Sequence, residues 1–165
     1  MQKKVILKRL KNRSPDNILI KRMDKKVLVV NSKDERTVKN SERNPLVMVV
    51  ENDPDTMLLI SVLLRTLGYS VIEASNGEKA LKLLGKYNPE IIFMDVNMPV
   101  MDGYTATRHI RQMPDPYCTI PIIALVADAR RTDYEKCRAA GMDDYISKPF
   151  RLEEIQGKLN LPPAA

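Results

Sequence analysis

The sequence predicts an α/β protein, a three-layer sandwich in which helices cover both faces of a parallel β-sheet. From residue 46 onward, five short apolar runs alternate strictly with five longer segments of helical periodicity. Strands that alternate with helices in this way form parallel sheets. Most of the runs show no polar alternation, which is typical of strands that are buried on both faces.

The five apolar runs are rich in Val and Ile and are bounded by turn residues, as strands are. They are LVMVV (46–50), SVIEA (70–74), EIIFM (90–94), PIIAL (121–125) and DYISK (144–148). Their short length argues for strands and against buried helices, which are usually longer.

The segments between and after the strands carry apolar residues at helical spacing. They are PDTMLLISVLLRTLG (54–68), NGEKALKLLGKY (76–87), YTATRHIRQM (104–113), RRTDYEKCRAAG (130–141) and RLEEIQGKLN (151–160). In the first of them, we expect Asp53 to cap the N-terminus and Pro54 to occupy the first turn. The first helix is predicted to end at Gly68 and the fourth at Gly141.

Charge divides the chain near Asn44 and Pro45. Residues 1–45 contain 14 Lys and Arg against 5 Asp and Glu and have no Ala or Gly, whereas the rest contains 13 against 16. We therefore predict a basic N-terminal extension over 1–45, a globular domain over 46–160 and a short tail over 161–165. Three apolar runs in the extension, KVILKR (4–9), NILIKR (17–22) and KKVLVV (25–30), indicate a small β element or a flexible arm.

Composition restricts the function classes that the chain can belong to. No apolar stretch reaches the ~18 residues of a membrane span, and the start, MQKKVILKRLKNRS, has no signal-peptide core. Cys118 and Cys137 form no CxxC pair, so we expect reduced thiols and a cytoplasmic protein. A basic arm can bind nucleic acid or an acidic membrane. Because this one has no aromatic residue for base stacking, an exposed extension or docking element is the favoured interpretation.

Polar residues stand at the ends of three predicted strands, where the sites of parallel α/β sheets lie. Glu51, Asn52 and Asp53 follow the first strand, Asp95 follows the third, and Lys148 lies at the end of the fifth. Because the carboxyl ends of parallel strands meet at one edge of the sheet, we expect acids from two strand ends and one lysine to converge on a single crevice.

These residues lie in motifs that resemble the receiver domain of two-component response regulators. The motifs are VVENDPD, IIFMDVNMPVMDGYTATRHIR, PIIALVADA and AGMDDYISKPF, and the resemblance runs from Leu46 to Leu159. The sequences of these motifs are most similar to those in the receivers of hybrid histidine kinases. The resemblance implies a flavodoxin-like sheet with the strand order 2-1-3-4-5.

The resemblance also implies a function, which is to accept a phosphoryl group and not to act as an enzyme on a separate substrate. It makes Asp95 the phosphoacceptor, Lys148 the phosphate-sensing lysine and Tyr145 the aromatic switch position. The implied donor is a histidine kinase or a histidine phosphotransfer protein in a phosphorelay. An output partner, which the sequence does not identify, would bind the face formed by the fourth helix, the fifth strand and the fifth helix.

A Mg²⁺ site is the second implication of the resemblance. Glu51 and Asn52 stand at the positions of the acidic pair that holds the ion. Asp95 and the backbone carbonyl of Asn97 complete the implied ligands, and Asp53 is a substitute candidate. Mg²⁺ prefers oxygen ligands and keeps several waters, so a small set of protein oxygens suffices.

Two positions depart from the family pattern. Asn52 stands where a second acid is usual, so a negative charge is missing beside the metal. Val126 stands where Thr or Ser is usual and offers no donor to a phosphoryl oxygen. Because of the missing charge at Asn52, we expect weakened metal binding. A hydrogen bond to a charged group contributes ~1.5–3 kcal/mol, so the missing donor at Val126 is expected to weaken switching. The alternative hypothesis is a receiver-fold interaction module that does not depend on phosphorylation.

Overall fold

The computed structural model describes residues 18–23, 26–31, 44–127 and 131–159, with the backbone alone for 18–23, 26–31 and 131–133. The chain divides into two compact units between Arg43 and Asn44. In the first unit, the described residues form an antiparallel pair of strands, β1 (Ile18–Met23) and β2 (Lys26–Asn31). These are the second and third apolar runs of the basic extension. The first run, 4–9, lies outside the described residues.

The described residues of the second unit form the predicted alternation of strands and helices. The strands are β3 (Leu46–Val50), β4 (Ser70–Ala74), β5 (Ile91–Asp95), β6 (Ile122–Val126) and β7 (Asp144–Ser147). The helices are α1 (Pro54–Thr66), α2 (Gly77–Leu84), α3 (Gly103–Arg111), α4 (Arg131–Ala140) and α5 (Leu152–Lys158). A short 3₁₀ turn, Tyr117–Thr119, precedes β6. Within the described ranges, no helix has the length and apolar character needed to cross a membrane.

The strands β3 to β7 form one parallel sheet in the order β4-β3-β5-β6-β7. This confirms the predicted three-layer sandwich and the strand order 2-1-3-4-5. Successive residues of the central strands point to opposite faces. Met48, Ile92 and Ala124 pack with α2, α3 and α4, whereas Val49, Phe93 and Leu125 pack with α1 and α5. The core therefore consists of two apolar layers, one on each face of the sheet, and these layers hold the strand ends in place.

The predicted start of α1 holds, but the helix ends at Thr66, two residues before Gly68, and two strands are shifted. Asp53 caps α1 by accepting a hydrogen bond from Thr56 N at 2.8 Å, which confirms the predicted cap. By contrast, β5 and β6 each lie one residue further along than predicted, because the strand pairing continues to Asp95 opposite Leu125. Asp95 is therefore the last residue of its strand and not the first residue of the following loop.

Candidate functional site

Asp95 ends β5 at the carboxyl edge of the sheet and is only 5% exposed. The backbone N–H of Asn97 donates to its Oδ1 at 3.2 Å. Burial raises the pKa of Asp95 above its ordinary value, and the negative charge of Glu51 raises it further. The Asn97 N–H and the ammonium of Lys148 act in the opposite direction. A desolvated carboxylate held by a specific charge partner is typical of functional sites.

Lys148 joins the two acids of the crevice. It follows β7, and its Nζ lies 2.5 Å from Glu51 Oε2 and 3.3 Å from Asp95 Oδ2. Glu51, directly after β3, is 1% exposed, and its Oε1 accepts a hydrogen bond from Asp53 N at 3.0 Å. Both carboxylate oxygens of Glu51 therefore have partners. The three strand ends bring these residues together as the sequence predicts.

Asn52 lies over the carboxylate of Asp95. We assign the NH₂ end of its side-chain amide to the side that faces two acceptors, Asp95 Oδ2 at 3.2 Å and the backbone oxygen of Asn97 at 3.0 Å, because the opposite assignment would set an amide oxygen against two oxygens. This assignment follows from the hydrogen-bonding capacity of the amide, which has donors at one end and an acceptor at the other. Asp95 Oδ2 and Asn97 O consequently converge on one atom position, which is occupied by a neutral donor.

The oxygens around that position fit a hard divalent cation. Among the described residues, no group of three or more His, Cys, Asp and Glu side chains is placed to hold a metal. A site here must therefore also use the Asn97 carbonyl, the Asn52 amide oxygen and water. Carboxylate, amide and carbonyl oxygens are the ligands that Mg²⁺ takes in proteins. Together with the charge of Glu51, Asp95 and these groups form a donor set that is chemically suited to Mg²⁺.

Asp53, the substitute ligand, has a different role in the structure. Its Oδ1 accepts from Thr56 N at 2.8 Å, so the carboxylate is turned toward the first turn of α1. Hydrogen bonds from Thr56 lower the pKa of Asp53 below its ordinary value. The residue serves as a helix cap, and Asn52 is the better candidate for the metal position.

A tight loop, 96–102, holds the Asp95 end of β5 in place. Gly103 N donates to Val96 O at 3.2 Å, which closes the loop at the start of α3. A Cβ on Gly103 would lie 2.1 Å from the backbone oxygen of Asp95, so no other residue permits this approach. Gly77 N also donates to Met101 O at 3.1 Å and ties the loop to α2. These contacts hold Asp95 in a defined position.

Val126 and Tyr145 lie in the apolar layer under α4. Val126 is 2% exposed, and its backbone oxygen accepts from Lys148 N at 2.7 Å. The ring of Tyr145 packs edge-on against Tyr134 of α4, with ring centroids 5.5 Å apart. The end of β6 therefore presents two methyl groups where a hydroxyl would offer a hydrogen-bond donor.

Helix α1 also has an exposed apolar surface that we did not expect from the sequence, which we call the α1 patch. It consists of Leu58, Leu59 and Val62, which are 62%, 48% and 49% exposed. Spacings of three and four residues place these side chains on one face of the helix. The sequence does contain a signal, because α1 is apolar at more positions than a single buried face requires.

Comparison with known proteins places the chain in a family. Residues 47–160 match the family described as response regulator receiver domain. The sensor histidine kinase RcsC of Escherichia coli K12 is 38% identical over 116 residues, which cover 70% of this chain and 12% of the kinase. The receiver domain of the sensor histidine kinase PA1611 from Pseudomonas aeruginosa PAO1 is 39% identical, with a TM-score of 0.67. That alignment covers 71% of this chain and 95% of the PA1611 domain, whose crystal structure has a magnesium ion coordinated in the active site cleft.

A second similar structure contains a partner. It is the co-crystal of the Saccharomyces cerevisiae histidine phosphotransfer protein Ypd1 with the receiver domain of the response regulator Ssk1. The match has 26% identity and a TM-score of 0.64, and it covers 70% of this chain and 86% of that one. The chain belongs to the response regulator receiver domain family, a family of phosphoacceptor domains. It spans only 7–13% of the sensor kinases and hybrid signalling proteins that it matches.

Proposed function

We propose that this chain accepts a phosphoryl group on Asp95 from a phosphohistidine of a partner protein, as one step of a histidine–aspartate phosphorelay. The observation that carries the proposal is the buried Asp95 carboxylate beside Lys148 and Glu51 at the carboxyl edge of a parallel sheet. Membership of the receiver family supports the same function.

The residues of this chain account for most of the chemistry. A carboxylate oxygen of Asp95 forms a bond to phosphorus while the bond between phosphorus and the imidazole nitrogen breaks, and the imidazole keeps the electron pair. Lys148 offsets negative charge as a point cation, and the Gly103 contact keeps the attacking group in position. Mg²⁺, held by Asp95, the Asn97 carbonyl and Asn52, would neutralise charge on the phosphoryl oxygens.

We further propose that the α1 patch binds the phosphohistidine donor, which is a histidine kinase or a histidine phosphotransfer protein. Helix α1 begins directly after Asp53, so a partner that covers the patch reaches the edge of the sheet where Asp95 lies. A contiguous exposed apolar surface next to a polar site marks an interaction surface. The receiver of Ssk1 is found bound to a histidine phosphotransfer protein, which supports a partner of this class.

The donor surface is tested with a Leu58→Gln, Leu59→Gln double variant. We expect phosphoryl transfer from a phosphorylated histidine phosphotransfer protein to slow at least about tenfold, the loss of about 1.4 kcal/mol of binding free energy. Uptake from the small donor phosphoramidate should stay unchanged, because neither leucine lines the crevice. The rates are measured by intact-mass spectrometry.

Tyr87→Gln is the matched control, since Tyr87 is 47% exposed and follows α2 on the other face of the sheet. It should leave both rates at the wild-type level. Equal transfer rates from the protein donor for the double variant and the wild type would contradict the proposed surface.

Val126 and Asn52 favour a second candidate function, an interaction module that does not respond to phosphorylation. A conformational shift needs a ligand that interacts differently with the two states. A shift from 1:99 to 99:1 takes about 5.5 kcal/mol of such a difference. A missing hydrogen bond to a charged group, ~1.5–3 kcal/mol, removes much of it.

We therefore expect beryllofluoride with Mg²⁺ to cause only small NMR chemical-shift changes around Tyr145 and α4. Val126→Thr should enlarge these changes because it adds the missing donor at the same volume. Val126→Ala, which removes volume without adding a donor, should not enlarge them. A full response of the wild type would show a conventional switch, and no response from either protein would favour the interaction module.

We propose that residues 46–160 act as the receiver, with 1–45 as a separate basic extension and 161–165 as a tail.

We also propose a surface for an output partner. Grooves of about 350 and 610 Å³ flank Tyr145 on the sides of α4 and α5, where an output partner would bind. A cytoplasmic location and nucleic-acid binding by the extension stay sequence-based expectations.

A further inference from the structure

We propose that Asn52 is a two-state group whose amide turns over when the site binds a cation. Without a cation, the NH₂ end bridges Asp95 Oδ2 and Asn97 O. With Mg²⁺ bound, the carbonyl end of the same amide faces the ion. This inference deepens the proposed function and rests on it, because the cation is the one that phosphoryl acceptance requires.

The bridging contact carries the first half of the inference. With the amide assigned from its hydrogen-bonding partners, its nitrogen lies 3.2 Å from Asp95 Oδ2 and 3.0 Å from Asn97 O, and both are hydrogen-bond distances. The bridge thus supplies one donor to two acceptors, a carboxylate oxygen and a backbone carbonyl. An aspartate at position 52 would add a third acceptor to this place. The asparagine therefore stabilises the cation-free arrangement of the site.

The chemistry of the amide carries the second half. The two oxygens that accept from Asn52 are the same two that the donor set offers to Mg²⁺. The NH₂ group carries positive partial charge, so it cannot face a cation at that position. Rotation about the Cβ–Cγ bond exchanges the NH₂ end for an oxygen without moving the backbone.

The surroundings of Asn52 permit this rotation. Asn52 is exposed, whereas Glu51 beside it is 1% exposed and has partners at both carboxylate oxygens. The neighbouring acid therefore stays fixed while the amide turns. Cation binding must first break two hydrogen bonds of the amide, one of them to a carboxylate. This cost lowers the affinity for Mg²⁺ in addition to the loss of a negative charge at position 52.

Side-chain NMR of the full chain tests the rotation directly. In cation-free protein, we expect the Asn52 NH₂ protons to exchange slowly with water and to resonate downfield of an exposed amide. Mg²⁺ should move both resonances and speed their exchange. The side chain of Asn76 is the internal control, because its Oδ1 caps α2 by accepting from Lys79 N at 2.9 Å and should not respond. Asn52 resonances that look like an exposed amide and ignore saturating Mg²⁺ would overturn the inference.

An Asn52→Asp variant tests the energetic consequence. We expect its cation-free Tm to fall below that of the wild type and its Kd for Mg²⁺ to tighten about ten- to a hundredfold, the range of a hydrogen bond to a charged group. Asn76→Asp is the charge-matched control, since Asn and Asp are equivalent helix caps. It should change neither quantity. A cation-free Asn52→Asp protein as stable as the wild type would contradict the bridging role.

These measurements do not depend on phosphorylation. If the Asn52 resonances and the Tm respond as expected but no phosphoryl group is taken up, the proposed function is wrong and the inference about Asn52 stands. If phosphorylation occurs while Asn52 ignores Mg²⁺, the proposed function stands and the inference is wrong.

Discussion

Asp95→Asn protein is expected to take up no detectable phosphoryl group from phosphoramidate in the presence of Mg²⁺, while the wild type becomes phosphorylated. The change keeps the shape of the side chain but removes the nucleophilic carboxylate oxygen. The fold should survive, because burial and the charge of Glu51 already disfavour the ionised form of Asp95. Intact-mass spectrometry reads out the phosphoryl adduct.

Asp102→Asn is the matched control for this prediction. Asp102 lies in the same loop region, and its Oδ1 caps α3 by accepting from Thr105 N at 2.7 Å. Asparagine is an equally good cap, so the control should be phosphorylated like the wild type. An adduct that persists in Asp95→Asn would show that another residue accepts the phosphoryl group.

Arg111→Ala is expected to lower the free energy of unfolding by about 1–3 kcal/mol, the cost of leaving hydrogen-bond acceptors without their donor. The side chain of Arg111 is 19% exposed, and its guanidinium joins the end of α3 to two other segments. Its acceptors are Gly141 O (2.8 Å), Cys118 O (2.9 Å), Ile120 O (2.8 Å) and Asp143 Oδ2 (2.7 Å). Asp143 in turn accepts from Ile122 N at the start of β6. Without the arginine, the three carbonyls would lose this donor, and Asp143 would keep only the bond from Ile122 N.

Urea denaturation measures this loss, and two further variants separate its causes. Arg108→Ala, on the same helix, removes an exposed side chain that donates only to Thr105 Oγ1 among its described contacts, and it should cost less than about 0.5 kcal/mol. Arg111→Lys keeps the charge but cannot reproduce the planar fork, so it should recover only part of the loss. An Arg111→Ala protein whose free energy of unfolding lies within about 0.5 kcal/mol of the wild-type value would contradict this stabilising role of Arg111.

The sheet and the placement of the acids could be predicted from the sequence because both depend on local patterns. Alternating strand and helix periodicity gave the order of elements, and the residues after each strand necessarily meet at one edge of a parallel sheet. The exact strand ends could not be predicted, since Asp95 is polar and looks like a loop residue. Backbone pairing with Leu125 nevertheless extends β5 to include it.

Contacts between residues far apart in the sequence could not be predicted. The bond from Arg111 to Asp143 spans 32 residues, and in the sequence Arg111 looks like an ordinary charge on a solvated helix face. The orientation of the Asn52 amide depends on two acceptors that only the folded loop brings together. The α1 patch needed the structure because periodicity alone does not show which apolar residues a helix leaves exposed.

Borohydride trapping tests the central claim, phosphoryl acceptance by Asp95, most directly. The full chain is treated with phosphoramidate and Mg²⁺ and then with borohydride, which reduces an aspartyl phosphate to homoserine and releases phosphate. Peptide mass mapping then locates the homoserine. We predict homoserine at position 95 and at no other aspartate, and none in protein that was not exposed to the donor. Homoserine at Asp53 or Asp102, or a phosphoryl adduct that borohydride does not convert, would contradict the assignment of Asp95 as the acceptor.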